Sequence, residues 1–216
     1  MKAILFDLDG TIINSEEGIT KCVQYALKSF GIEEPDLKKL LCFIGPPLDP
    51  VFREKYGFDE KQAWEAVVKY RERFDVKGIF ECELYDGVAD AIKKLKEEGY
   101  VIALASSKPE GACRRIIEHF SLTPYFDMIV GSTLDGSIST KQEVLEELGR
   151  RMKHMDIAKE EMCLIGDTHY DVNGANQFGI RCIGVTYGFG TREQLENAGA
   201  YRVCDTINEV LDVIHQ

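Results

Sequence analysis

The sequence is short of basic residues. Its 216 residues include 26 lysines and arginines against 37 aspartates and glutamates, so the formal net charge is −11 at pH 7. Nucleic acids and anionic membranes are both bound largely through clustered Lys and Arg. The charge balance therefore argues against a nucleic acid or a membrane surface as the partner. The length allows one domain or two small ones, with enough residues for a buried core.

The sequence also lacks a metal-binding cysteine pattern and a long apolar run. It has seven cysteines, and even the closest two, Cys163 and Cys182, are too far apart for a CxxC motif. We expect buried free thiols in a reducing compartment. The apolar run near residue 1 is too short for a signal-peptide core, and no stretch approaches the ~20 apolar residues of a membrane span. These features predict a cytoplasmic protein.

Short apolar runs separated by helical patterns indicate the fold class. Four of them end at a polar residue or a glycine, and they occupy residues 3–6, 101–105, 128–130 and 162–165; a fifth occupies 181–185. Continuous apolar runs are typical of parallel strands covered on both faces. The alternation predicts an α/β fold with a doubly wound, Rossmann-like parallel sheet, which binds ligands at the carboxyl ends of its strands. Residues 188–190 (GFG) lack the third glycine of a dinucleotide motif and predict a turn.

One segment interrupts this alternation. From residue 14 to about residue 81 the pattern is helical, and apolar residues from Ile19 to Phe30 form one stripe of a helix. Asn14 with Glu17 resembles a capping box at the start of that helix, and Gly31 predicts its end. We therefore predict two domains, an α/β domain made of residues 1–13 and 82–216 and an all-helical insert made of residues 14–81.

Two aspartates directly follow the first predicted strand. Asp7 and Asp9 leave the strand tip on the same side, because alternate residues of a strand share a face. Gly10 allows a sharp turn, and the Thr11 hydroxyl can tie the loop. Two carboxylates this close repel each other unless a cation or a shared proton compensates them. DxDGT after an apolar strand is too specific a pattern for a turn with two solvated acids.

The other predicted strand ends supply complementary groups. Ser106 and Ser107 follow the second run, Lys141 opens a helix, and Asp167 and Asp171 follow the run at 162–165. Each has an ordinary explanation when taken alone, such as a helix cap or a surface charge. Together they predict one site at the carboxyl edge of the sheet, where acid pairs, a hydroxyl and a lysine converge.

In this order, the motifs resemble those of the haloacid dehalogenase-like hydrolase superfamily, and the resemblance covers essentially the whole chain. With its helical insert, the chain is most similar to the phosphoglycolate phosphatase-like group. Residues 43–48 are also similar to a branch of bacterial 5′-nucleotidases. The resemblance implies a catalytic core with an inserted helical cap domain. It further implies a phosphatase that hydrolyses small phosphorylated metabolites through an aspartyl phosphate.

The resemblance implies a catalytic role for four residues. Asp7 would be the nucleophile. Asp9 would protonate the leaving group and then deprotonate the attacking water. Ser106 would donate a hydrogen bond to the phosphoryl group, and Lys141 would offset its charge and that of Asp7.

A magnesium site is also implied by the resemblance. Asp7, the main-chain carbonyl of Asp9 and Asp167 would hold Mg²⁺. Asp171 belongs to the same metal site and would orient metal-bound water or neighbouring groups rather than bind directly. The dehalogenating members of the superfamily lack an acid at the position of Asp9 and need no metal, so this sequence is similar to the phosphotransferases.

Candidate substrate-binding residues lie in both predicted domains. Thr11 and Ser107 belong to the core, and Phe43, Gly45 and Arg53 belong to the cap. The substrate is expected to be a small phosphorylated metabolite, with phosphoglycolate and a nucleoside 5′-monophosphate both open.

Two alternative functions stay open. A phosphomutase of this superfamily carries a histidine next to a lysine in its cap, and none of the four histidines lies within residues 14–81. The second alternative is a binding or regulatory member of the superfamily that has lost catalytic activity, although no catalytic position is missing from this sequence. We expect a monomer or a weak homo-oligomer, since no long heptad pattern is present.

Overall fold

The computed structural model describes residues 1–216, and the chain divides into two compact units. The core unit consists of Met1–Asn14 and Leu84–Gln216. The helical unit consists of Ser15–Glu83. None of the helices combines the length and the apolar character needed to cross a membrane.

A parallel sheet of six strands forms the centre of the core unit, with the order β5-β4-β1-β6-β7-β8. The strands of the protein are β1 (Ala3–Phe6), β2 (Ile13–Asn14), β3 (Glu83–Leu84), β4 (Val101–Pro109), β5 (Met128–Ser132), β6 (Met162–Gly166), β7 (Arg181–Val185) and β8 (Arg202–Cys204). Strands β2 and β3 form a separate two-stranded sheet. The predicted doubly wound parallel sheet is confirmed, and β8 is an additional strand that the apolar pattern did not predict.

Nine α-helices accompany these strands. They are α1 (Glu16–Ser29), α2 (Leu48–Tyr56), α3 (Glu60–Phe74), α4 (Val88–Glu97), α5 (Glu110–His119), α6 (Lys141–Met152), α7 (His169–Phe178), α8 (Arg192–Asn197) and α9 (Ile207–Ile214). Short 3₁₀ helices occupy Leu37–Phe43, Gly78–Phe80, Thr123–Tyr125, Lys153–Met155 and Lys159–Glu161.

Helices cover the sheet and bury its central strands. All four residues of β1 and all five of β6 are buried. Leu5 and Leu164 pack in one cluster with Val144 and Leu148 of α6 and Val172 of α7. Burying an aliphatic side chain contributes about 1.5–3 kcal/mol. Both faces of a central strand therefore need apolar residues, which explains its continuous apolar run.

The register of the sheet aligns the carboxyl ends of its central strands. Phe6 of β1 pairs with Leu104 of β4 on one side and with Ile165 of β6 on the other. The next residue, Asp7, donates its backbone N–H to the carbonyl of Ile165 at 2.9 Å. The residues that follow these strands are thus brought to one edge of the sheet.

In the helical unit, an aromatic cluster packs together. The ring centroids of Phe43 and Phe52 are 4.7 Å apart, those of Phe30 and Phe58 4.8 Å, and Tyr56 lies 6.1 Å from Phe58. Such pairs add to the free energy that simple area burial provides.

The start of α1 differs from its prediction. Ser15 is the N-cap, its side chain makes no capping hydrogen bond, and Asn14 belongs to β2. The capping box expected from Asn14 and Glu17 is therefore wrong, because the chain is still extended at residue 14. The apolar stripe is as predicted from Ile19 to Leu27, where its members are buried.

All seven cysteines are free thiols, as expected. Five of them are buried, but Cys42 is exposed and Cys82 is half-buried, so the expectation of burial is wrong for these two.

Candidate active site

Asp7 and Lys141 form a buried ion pair at the carboxyl edge of the sheet. Lys141 Nζ lies 2.7 Å from Asp7 Oδ1 and donates a second hydrogen bond, also 2.7 Å long, to the carbonyl oxygen of Ala105. Both side chains are buried. Strand β1 positions the carboxylate, and the first residue of α6 supplies the ammonium.

Two local features place the Lys141 side chain. Thr140 is the N-cap of α6 and forms a capping box with Glu143, which fixes where the helix begins. Gly174 of α7 makes room, because a Cβ at that position would lie 2.6 Å from Cγ of Lys141. The aliphatic part of the Lys141 side chain therefore packs against the backbone of Gly174 and extends toward Asp7.

Asp171 is held by Lys141 and by the start of its own helix. Its Oδ1 lies 2.8 Å from Lys141 Nζ. Its Oδ2 accepts hydrogen bonds from the backbone N–H and the hydroxyl of Thr168, at 3.0 and 2.8 Å. These contacts fix the orientation of the Asp171 carboxylate.

Asp167 follows β6 and is fully buried. Its Oδ1 accepts a 3.3 Å hydrogen bond from the Thr11 hydroxyl, and its Oδ2 accepts a 2.8 Å bond from the backbone N–H of Phe189. Gly10 has φ +83° and faces this carboxylate so closely that any Cβ would collide with Oδ2. The DxDGT turn therefore needs glycine both for its conformation and for space.

Three of these carboxylates could share a metal ion. Oxygens of Asp7, Asp167 and Asp171 all lie within 4.8 Å of one another. Carboxylate oxygens are the ligands that Mg²⁺ prefers, and a buried cluster of three acids is unfavourable without positive charge. The donor set fits a divalent cation.

The pKa values of this cluster follow from burial and mutual repulsion. Burial raises the pKa of Asp7 to about 6; Lys141 opposes that rise and Asp171 adds to it. Burial, with Asp171 and Asp7, raises the pKa of Asp167 well above its usual range. Burial lowers the pKa of Lys141, but Asp171 and Asp7 outweigh it, so the net shift is upward. The Lys141 ammonium therefore interacts favourably with both Asp7 and Asp171.

Asp9 and Ser106 lie at the same carboxyl edge of the sheet. Asp9 Oδ2 lies 3.1 Å from Lys108 Nζ, whereas its Oδ1 is buried without a hydrogen-bond partner. The Ser106 side chain is buried, and its Oγ accepts a 3.4 Å hydrogen bond from the backbone N–H of Lys108. Ser107 is half-buried.

The three candidate residues of the helical unit have different environments. Phe43 is 2% exposed and packs on Phe52, so its ring stabilises the interior of this unit and has almost no surface for a ligand. Gly45 and Arg53 are exposed. A substrate contact of these residues stays a prediction.

Sequence reasoning missed several neighbours of the acids as candidate site residues. Lys108, Gly174 and Phe189 contact or make room for the predicted residues, and the Tyr187 hydroxyl donates a 3.0 Å hydrogen bond to the carbonyl of Thr11. The sequence could have indicated Lys108 as a site residue, because it directly follows Ser106 and Ser107. The others contact the site from distant parts of the chain, which no local pattern reveals.

The acid cluster, the lysine and the parallel sheet agree with a family comparison. The family described as haloacid dehalogenase-like hydrolase matches residues 4–185. The chain belongs to this family, as the motif resemblance predicted.

Named relatives and solved structures indicate the enzyme class within this family. A 5′-nucleotidase of Pseudomonas aeruginosa is 46% identical over 89% of this chain and 86% of that protein. The tyrosine-protein kinase PtkA of Mycobacterium tuberculosis is 31% identical over 98% of this chain and 72% of that one, and phosphoglycolate phosphatase 1 of P. aeruginosa is 28% identical over 100% and 80%. A predicted phosphatase from Clostridium acetobutylicum superposes with a TM-score of 0.93, at 45% identity over 99% of this chain and 97% of that one. The expected enzyme class, a phosphoric monoester hydrolase, is confirmed.

Proposed function

We propose that this chain is a Mg²⁺-dependent phosphatase that hydrolyses phosphate monoesters of small metabolites through an aspartyl phosphate on Asp7. The observation that carries the proposal is the buried ion pair between Asp7 and Lys141 at the carboxyl edge of the sheet. A buried ammonium beside a carboxylate allows a dianionic ester to approach that carboxylate without prohibitive repulsion.

Asp7 is the nucleophile of the first step. One of its carboxylate oxygens attacks phosphorus, the new O–P bond forms, and the P–O bond of the ester breaks. The electron pair of the broken bond goes to the leaving oxygen, which takes a proton from Asp9. The alcohol then leaves, with the phosphoryl group on Asp7.

Asp9 is the base of the second step. Its carboxylate takes a proton from a water molecule, which attacks the same phosphorus. The O–P bond to Asp7 breaks, inorganic phosphate leaves, and both aspartates regain their starting states. The Oδ1 of Asp9, which is buried without a protein partner, supports this role in proton exchange.

Ser106 and Lys141 assist both steps. The buried hydroxyl of Ser106 donates a hydrogen bond to a phosphoryl oxygen. Lys141 holds Asp7 in place and offsets the negative charge that builds up around phosphorus. The carbonyl of Ala105 and the carboxylate of Asp171 keep the ammonium in position.

Mg²⁺ would be held by Asp7, Asp167 and the main-chain carbonyl of Asp9, and it would supply further positive charge to the phosphoryl oxygens. Asp171 would act on this site through Lys141 and Thr168, to which both of its oxygens are bonded. Thr11 and Phe189 hold Asp167 by its two oxygens, which fixes the carboxylate for a ligand.

We propose a nucleoside 5′-monophosphate as the substrate in preference to phosphoglycolate. The relative named 5′-nucleotidase supports this choice, since it is 46% identical, against 28% for the relative named phosphoglycolate phosphatase 1. Ser107 in the core unit, and Gly45 and Arg53 in the helical unit, are the candidates for contact with the substrate. Thr11 and Phe43 are fully or almost fully buried, and the Thr11 hydroxyl donates to Asp167. A cytoplasmic location and a monomeric or weakly associated state are part of the same proposal.

A panel of phosphate monoesters tests the function. The panel contains nucleoside 5′-monophosphates, 2-phosphoglycolate and p-nitrophenyl phosphate, each assayed with Mg²⁺ and with EDTA. We expect phosphate release that requires Mg²⁺ and disappears in Asp7→Asn, while the exposed control Asp90→Asn keeps wild-type turnover. Turnover in EDTA contradicts the metal requirement, and comparable turnover by Asp7→Asn contradicts the nucleophile. Transfer of the phosphoryl group to a sugar phosphate instead of water would indicate a mutase, and no turnover at all a silent member.

A further inference from the structure

Lys108 is a buried cation that the proposed mechanism does not use. It lies near the carboxyl end of β4, two residues after Ser106, and its side chain is 7% exposed. Its Nζ lies 3.1 Å from Oδ2 of Asp9, whose own side chain is 10% exposed. Surface ion pairs contribute little, but a pair with this burial holds its two partners firmly.

The backbone of Lys108 is fixed by its neighbours. The pairing of β4 with β5 shifts register between Ser106 and Pro109. The Lys108 carbonyl accepts a 3.5 Å hydrogen bond from the Cys113 thiol, and a Cβ on Gly131 of β5 would lie 2.5 Å from that carbonyl oxygen. Irregular pairing that is enforced by close packing is a common way to aim a side chain at a functional site.

The two oxygens of Asp9 have different environments. Oδ2 is occupied by Lys108, whereas Oδ1 is buried and has no hydrogen-bond partner. A buried carboxylate oxygen without a hydrogen-bond donor lowers the stability of the fold. Such an oxygen is therefore expected where a bound ligand supplies the missing hydrogen bond. The ion pair therefore decides which oxygen of Asp9 is left to meet a substrate.

We propose that Lys108 is a positioning residue that acts through Asp9: by holding Oδ2, it presents Oδ1 to the leaving oxygen of the ester. The proposal rests on the function proposed above, in which Asp9 gives its proton to that oxygen as the ester P–O bond breaks. Lys108 itself forms and breaks no bond. Its contribution is the orientation of the proton donor, and small errors in such an orientation are expensive.

This role predicts a dependence on the leaving group. An alkoxide, such as the ribose 5′-oxygen of a nucleoside monophosphate, needs a proton as it departs, whereas p-nitrophenolate leaves without one. In the first step, a residue that orients the proton donor matters for the first ester and little for the second. The second step, in which Asp9 is the base, is common to both esters, so the contrast is confined to the first step. A residue that binds the phosphoryl group, or that only stabilises the fold, matters equally for both.

The test compares Lys108→Met, Lys108→Gln and Lys108→Arg on AMP and on p-nitrophenyl phosphate, with Mg²⁺ present. The readout is the single-turnover rate constant of the first step, measured by rapid quench as release of adenosine or p-nitrophenol. We expect this rate constant for AMP to fall by about tenfold or more beyond any fall for p-nitrophenyl phosphate in the two neutral variants. Lys108→Arg restores most of the loss. The matched control is Lys96→Met, which breaks a Lys–Asp pair with Asp127 on the outside of the same unit and leaves both rates unchanged. Thermal melting shows which variants are folded. If Lys108→Met does not fold, Lys108→Gln is used for the comparison instead.

A double variant completes the test. If Lys108 acts through Asp9, Lys108→Met causes no further loss of the first-step rate constant on AMP once Asp9 is replaced by Asn. Equal losses of the first-step rate constant on both esters, a rise in KM alone, or an additive loss in the double variant overturns the proposal while the proposed function stands. A wild-type enzyme that hydrolyses neither ester overturns the proposed function, and this proposal with it.

Discussion

Lys141 Nζ lies 2.7 Å from Asp7 Oδ1, although 134 positions of sequence separate the two residues. The strand that carries Asp7 and the helix that starts with Lys141 meet only because the sheet places them together. Gly174 and Thr140 then fix the path of the lysine stem. The charge balance of the site depends on this contact.

Lys141→Met should abolish phosphatase activity. The variant leaves buried carboxylates without their ammonium, and removing one partner of a buried pair costs about 3–5 kcal/mol. We expect kcat to fall by about a hundredfold or more, as for the loss of other groups that stabilise the transition state. The unfolding free energy in metal-free buffer should fall as well. Steady-state kinetics and urea unfolding measure both, and wild-type kcat in this variant would exclude the role given to Lys141.

Gly174→Ala should lower activity by displacing the start of α6, chiefly the Lys141 side chain; the new Cβ would also lie 3.2 Å from the backbone nitrogen of Gln142. The new Cβ would lie 2.6 Å from Lys141 Cγ and 2.7 Å from its Cβ, so the lysine stem must move. The matched control is Gly111→Ala in α5, where a Cβ meets nothing within 4 Å and should add about 0.5–1 kcal/mol of stability. We expect a folded Gly174→Ala protein with a reduced kcat. Full activity would mean that Lys141 does not need its present path.

Mg²⁺ should stabilise the wild-type protein and not Asp167→Asn. A ligand at a hundred times its Kd adds about 2.7 kcal/mol of unfolding free energy, which raises Tm. In Asp167→Asn the cluster of Asp7, Asp167 and Asp171 loses one carboxylate, so the Mg²⁺-induced shift should disappear. The exposed Asp90→Asn should keep the full shift. Thermal melting at several Mg²⁺ concentrations measures it, and equal shifts in both variants would argue against the metal site.

Glu147 should contribute acid-sensitive stability. Hydrogen bonds from Arg150 and Arg151 lower the pKa of Glu147 from 4.5 to about 2. A carboxyl with a lowered pKa stabilises the folded state above its unfolded-state pKa and loses that contribution as pH falls. The stability difference between the wild type and Glu147→Gln should therefore be constant above pH 5 and shrink between about pH 4.5 and 2. Urea unfolding at a series of pH values measures it, with the exposed neighbour in Glu146→Gln as the control. A difference that does not change with pH would contradict the ion pair.

Much of the fold was predictable because its causes are local. Continuous apolar runs mark β1 and β6, since both faces of a central parallel strand are covered. The parallel sheet then implies that residues after these strands share one edge. Strand β8 escaped prediction because it has three residues, of which Arg202 is exposed and Val203 only partly buried. An edge strand of this length has no periodic pattern of its own.

The supporting residues of the site were less predictable because they act at a distance in sequence. Nothing around Gly174 indicates that a lysine stem from another helix passes beside it. The GFG stretch lies in a bend after β7, and the hydrogen bond from the Phe189 backbone N–H to Asp167 depends on the path of two separate strand ends. The motif position Phe43 is part of the aromatic interior of the helical unit, which a short motif does not indicate, and its contact with the substrate stays a prediction.

The most direct test of the aspartyl phosphate on Asp7 is to find the phosphoryl group on the enzyme. Asp9→Asn removes the base for the second step, so p-nitrophenyl phosphate should phosphorylate this variant and leave it phosphorylated. Rapid acid quench, proteolysis and mass spectrometry of the peptide that contains Asp7 locate the group, and hydroxylamine should release it because it is an acyl phosphate. We predict a stoichiometric, hydroxylamine-sensitive phosphoryl group on Asp7, and none in a variant that carries Asp7→Asn as well. A phosphoryl group on another residue would exclude Asp7 as the nucleophile. Turnover by Asp7→Asn at the wild-type rate, with no phosphoryl group on the enzyme, would exclude it as well.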